Sequence, residues 1–123
     1  MKLELAEPDN HAISSYGAGF ICVAGRQITA ACVLMRETLL LTGLPTLPIE
    51  LAAEHLRACV DLKPELIVFG TGSRQLIPDP AALLPLLDAG IHYEFMNTPA
   101  ACRCYNILLA EGRRVAAILF MVE

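Results

Sequence analysis

Glu65-Leu66-Ile67-Val68-Phe69-Gly70-Thr71-Gly72-Ser73 opens the stretch that decides the fold, and Arg114-Val115-Ala116-Ala117-Ile118-Leu119-Phe120-Met121-Val122 closes it. The first is a continuous apolar run ending in a glycine turn, which reads as a buried strand. Between the two, Pro80 to Leu87 reads as a short helix closed by Gly90, Ile91 to Met96 as a strand, and Thr98 to Ala110 as a helix closed near Gly112. Arg114 to Val122 is the last strand. Strand, helix, strand, helix, strand is a βαβ rhythm, whose crossovers favour parallel pairing with right-handed turns.

Upstream, Glu50 to Asp61 carries good helix formers, with Ala52, Leu56, Cys59 and Val60 on one side. Lys63-Pro64 ends it, because the residue before proline is pushed out of the helical region. Thr42 to Pro48 has loop punctuation, and Leu39-Leu40-Leu41 reads as a short strand. Gly19 to Val23 and Gln27 to Met35 flank Ala24-Gly25-Arg26 as a β-hairpin. The expected fold class is α/β: a three-layer domain with a mixed central sheet, an N-terminal β-hairpin adding antiparallel strands, then β-α-β-α-β. Residues 1–123 are expected to form a single domain.

Composition narrows the function. Nine basic residues stand against 13 acidic ones for a net charge of −4, and only Arg113-Arg114 are adjacent, so no stripe exists to neutralise phosphates. Nucleic acid is excluded as an expected partner. The chain is 55% hydrophobic with a mean hydropathy of +0.53. Two explanations stay open: a rich core, or an apolar face covered by a partner or a second copy. The longest apolar runs fall short of the roughly 20 residues that span a bilayer, so no membrane span is expected. Met1 to Pro8 has acidic residues where a signal peptide has its apolar core, and the protein reads as cytoplasmic. Five cysteines, an odd count, read as reduced thiols rather than a disulfide framework.

The candidate site lies where two loops meet. Parallel neighbours at Glu65–Phe69 and Ile91–Met96 put Gly70, Thr71, Gly72, Ser73 and Arg74 beside Asn97, Thr98, Cys102, Arg103 and Asn106. Thr98 reads as the N-cap of its helix with Pro99 at the first helical position, which leaves free N–H groups for an anion or for water. The glycines match no nucleotide fingerprint; they serve either phosphate binding or simply a tight turn.

Cys102 and Cys104 point about 200° apart on a helix, so they cannot share a metal. Cys102 reads either as an inert buried thiol or, with its pKa lowered by the helix start and Arg103, as a nucleophile without a base nearby in sequence. Arg103, Asn106 and Ala110 share one face, and Ala101, Cys104, Tyr105 and Leu108 another. The histidines His11, His55 and His92 are scattered, so no metal, cofactor or catalytic set is expected.

Leu66-Ile67-Val68-Phe69-Gly70-Thr71-Gly72, Met96-Asn97-Thr98, Ala100-Ala101-Cys102-Arg103, Tyr105-Asn106-Ile107-Leu108 and Glu111-Gly112-Arg113-Arg114-Val115-Ala116-Ala117 occur in this order. Together they resemble a small domain-of-unknown-function family of bacteria and archaea. Its eukaryotic relatives include mitochondrial complex I assembly factor three and an adipogenesis-associated protein. The resemblance implies a three-layer α/β fold with a mixed sheet and, through the mitochondrial relative, a protein-interaction or assembly role. The chain departs from the family pattern at Cys104, where threonine is usual, and in Gly43–Pro48, where tryptophan is common but this chain has none.

The function expected is that of a non-catalytic protein-interaction or assembly factor, with a protein partner of unknown identity or a homo-oligomer. The competing expectation is a binding protein or enzyme holding a small anionic molecule between the Gly70–Arg74 loop and the Thr98 helix N-terminus.

Overall fold

The computed structural model describes residues 11–123, so the reading of Met1–Pro8 lies outside the described residues. In chain order the strands are β1 Ile13–Gly17, β2 Phe20–Val23, β3 Arg26–Ile28, β4 Cys32–Met35 and β5 Thr38–Leu40; helix α1 is Ala53–Val60. Then come β6 Leu66–Thr71, α2 Leu84–Ala89, β7 His92–Met96, α3 Thr98–Ala110 and β8 Val115–Phe120.

The apolar runs that read as buried strands lie at the centre of a five-stranded mixed sheet of order β5-β4-β8-β6-β7. β6 pairs in parallel with β7 and with β8, from Leu66 opposite Val115 to Thr71 opposite Phe120. β4 runs antiparallel to both β8 and β5. All six residues of β8 are buried, because side chains alternate between the two covered faces of the sheet. Ala116, Ile118 and Phe120 join Ile67 and Phe69 against Leu56 and Cys59 of α1 and Leu86 of α2. Val115, Ala117 and Leu119 join Val68 on the opposite face, against Ala101, Cys102, Tyr105 and Leu109 of α3. Helices on both faces make the three expected layers.

The N-terminal hairpin exists, but in a different sheet. Ala24 (φ 53°) and Gly25 (φ 75°) form the tight turn between β2 and β3, both in the left-handed region that a two-residue hairpin requires. The expected strand Gln27–Met35 breaks after Ile28, so β1, β2 and β3 form their own antiparallel sheet and β4 enters the large one. This small sheet buries Ile13, Ile21, Val23 and Ile28 in the α3 core. Antiparallel strands are added to the central sheet by β4 and β5 instead. The helix expected over Glu50–Asp61 is also shorter: a 3-10 turn at Pro48–Glu50 precedes α1. Among the described residues no helix is long and apolar enough to cross a membrane.

Candidate functional site

The parallel register of β6 and β7 does bring the glycine turn and the start of α3 side by side. Thr98 N–H donates to the Gly72 carbonyl at 2.8 Å, and the Thr98 hydroxyl accepts the Gly72 N–H at 2.8 Å while donating to the Phe120 carbonyl. Gly70 lets them close up: a Cβ there meets Leu119 Cδ2 at 2.9 Å and both Ala101 Cβ and the Thr98 Cα at 3.0 Å. Gly72, at φ 96°, adopts the left-handed conformation that favours glycine. The glycines therefore build a tight turn and a close helix crossing.

Several expected roles are corrected by this geometry. Asn97, not Thr98, is the N-cap, its side-chain Oδ1 accepting the Ala100 N–H at 2.9 Å. Thr98 and Pro99 occupy the first helical positions, and Thr98 is only 2% exposed. Ala101 N–H bonds to the Asn97 carbonyl and Pro99 has no N–H, so residues 98–101 leave no main-chain donor for an anion. The two loops are bonded to each other through Thr98 and Gly72.

Cys102 is no part of a surface. It is fully buried on the face Thr98, Ala101, Cys102, Tyr105 and Leu109, the three-and-four spacing of a helix packed on a sheet. Burial pushes its thiol up to about 11 against a weaker opposing pull from Arg103, so it is not a nucleophile at neutral pH. Cys104 and Leu108 are only half-buried, so the core face is rotated from the expected one. Asn106 is spent on structure: its Oδ1 accepts the Ile13 N–H and its Nδ2 donates to the Ile13 carbonyl, both at 2.8 Å, docking β1 onto α3. Arg103 is exposed and donates to the Tyr16 hydroxyl at 2.8 Å.

What opens to solvent lies on the other side of the glycine turn. A cleft of about 180 Å³ is lined by Leu47, Pro48, Ile49, Ser73, Arg74 and Met121, with Thr71, Gly72, Leu76 and Phe120 beneath. It takes in Thr71, Gly72, Ser73 and Arg74 of the expected loop and none of Asn97, Thr98, Cys102, Arg103 or Asn106. Thr71 shapes it by donating to the Arg74 carbonyl at 2.7 Å and accepting the Leu76 N–H at 3.0 Å, which leaves the Ser73 and Arg74 side chains exposed. Leu47 is 44% and Ile49 58% exposed. Thr42–Pro48 reads from the sequence as a connecting loop but not as part of the site, although Leu47 and Ile49 flanking Pro48 are a signal for exposed apolar side chains. Among the described residues no group of three or more His, Cys, Asp or Glu is placed to hold a metal.

A family described as a protein of unknown function (DUF498/DUF598) matches residues 13–120. The chain belongs to the DUF498/DUF598 family. A relative in mouse, named NADH dehydrogenase [ubiquinone] 1 alpha subcomplex assembly factor 3, is 29% identical over 109 residues, 87% of this chain and 58% of the relative. A Francisella tularensis relative named a 13 kDa major membrane protein is 37% identical over 65 residues, 53% of each chain. The chain thus spans only about half to three fifths of the length of these relatives. A crystal structure of a Bordetella parapertussis protein is similar with a TM-score of 0.82 at 36% identity, covering 89% of this chain and 94% of that one. The mixed α/β fold of this DUF498/DUF598 member is therefore shared with a solved protein of similar length.

Proposed function

We propose that this single domain is a non-catalytic accessory or assembly factor of the cytoplasm, which binds another protein through the cleft bordered by Leu47, Ile49, Ser73 and Arg74. The observation that carries the proposal is the exposure of Leu47 and Ile49 beside an exposed arginine. Apolar side chains next to a charged rim have the composition of a protein contact surface. The assembly factor named among the mouse relatives supports the same class of role. Against the rival reading, an anion held by the start of α3, stand the bonds of Thr98 N–H to Gly72 and of Ala100 and Ala101 N–H to Asn97.

Ile49→Asp and Arg74→Glu, compared with Leu87→Asp at an exposed position of α2 outside the cleft lining, test the reading by quantitative co-purification from the native host. The first two are expected to lose a discrete partner that the third keeps. Equal recovery with all three variants contradicts the proposal, and a second copy of the chain as the recovered partner assigns the surface to self-association.

A further inference from the structure

At the end of the central sheet opposite the Gly72–Arg74 turn, a cleft of about 490 Å³ is lined by Arg36, Arg113 and Arg114, with Gly112, Glu37 and Asp61. Two of these guanidinium groups are fixed in place by main-chain carbonyls. Arg36 Nη2 donates to Leu109 at the end of α3, and Arg114 donates from Nε to Lys63 at 2.7 Å and from Nη2 to Leu62 at 2.6 Å. A carbonyl carries no net charge, so both arginines keep theirs. Each also keeps donors, since a guanidinium has five N–H groups and these use one and two.

Carboxylates are near but engaged elsewhere or exposed. Glu65 takes the Arg113 fork, Nε to Oε1 at 3.1 Å and Nη2 to Oε2 at 3.2 Å, and from Arg114 it accepts only the main-chain N–H. Glu37 and Asp61 are exposed and, among the described residues, form an ion pair with neither Arg36 nor Arg114. Capping a helix end requires one donor; two anchored arginines with spare donors, both lining one cleft, do more than that.

We infer that this cleft binds an oxyanion, the phosphate or carboxylate group of a small molecule, on the guanidinium groups of Arg36 and Arg114. The site is independent of the protein-binding face, lying at the other end of the sheet.

The test is an amide chemical-shift titration of the full chain at low ionic strength with inorganic phosphate and, separately, with succinate, against a sodium chloride control. Saturable shifts are expected at Arg36 and Gly112–Val115 with at least one of the two, and which one responds names the oxyanion. Arg114→Gln is expected to weaken binding at least tenfold, Asp61→Asn to tighten it, and Arg74→Gln to leave it unchanged. Shifts that fail to saturate, that match the chloride control, or that appear equally at Arg74 and Arg103 overturn the site. So does an Arg114→Gln affinity equal to wild type. The wild-type map decides the matter by itself where a variant fails to fold.

Discussion

Thr98 and Gly72 are joined twice, each donating its main-chain N–H to the other: Thr98 to the Gly72 carbonyl, Gly72 to the Thr98 hydroxyl. This pairing closes the α3 start against the glycine turn and turns the open side of that turn toward Leu47 and Ile49.

Thr98→Val keeps the shape of the side chain and removes the hydroxyl, leaving the buried Gly72 N–H and Phe120 carbonyl without it. Unpaired buried groups cost roughly 1–3 kcal/mol each, so for the two a loss of about 2–6 kcal/mol in urea unfolding is expected. Thr98→Ser is expected to recover most of it. A Val variant within 0.5 kcal/mol of wild type, roughly the scatter of surface substitutions, contradicts the role given to the hydroxyl.

Gly70→Ala places a methyl against the main chain of α3 at Thr98 as well as against Ala101 and Leu119. The Thr98 Cα belongs to the helix backbone and moves only with the helix, so overpacking of about 1–3 kcal/mol is expected. The variant is checked by its denaturation midpoint at unchanged m-value.

The layers and their order were legible because β6 and β8 of the βαβ half bury both faces and each helix stop there is marked, by Gly90 after α2 and Gly112 after α3. The split of the N-terminal half was not legible: Gln27–Met35 has no Gly or Pro to mark a break, and nothing in its pattern records that Ile28 and Cys32 belong to different sheets. The candidate site was half legible for a similar reason. Strand register brings Gly72 and Thr98 together, but whether neighbouring polar groups face each other or a ligand depends on hydrogen bonds that spacing does not encode. The side chains of Asn97, Thr98 and Asn106 all bond to main-chain groups of the protein.

Burial holds the thiols of Cys32, Cys59 and Cys102 up at about 12, 11 and 11, so they remain protonated at neutral pH. In the native protein at pH 7.5, a disulfide-exchange reagent is expected to react at the half-buried Cys22 and Cys104 first, with the other three released only on unfolding. Native labelling of Cys102, read by peptide mass, contradicts this.

The Arg113 side chain, followed by the Arg114 main-chain N–H, holds the Glu65 carboxyl below its ordinary value of 4.5. A lowered folded pKa contributes stability that is present above the unfolded pKa and is lost as pH falls through the folded one. Melting temperatures at pH 7 and pH 3 are expected to differ more for wild type than for Glu65→Gln, and 1 M salt is expected to shrink the difference because both partners are exposed. An equal acid shift in both proteins counts against the pairing.

The central claim is that the Leu47–Ile49 and Ser73–Arg74 face receives another protein. A photo-crosslinking side chain placed at Ile49 in the native host, beside a control at Leu87, reads this in the working cell. The account predicts one discrete adduct from Ile49 containing a different protein and none from Leu87. No adduct from Ile49, or the same adducts from both positions, contradicts it.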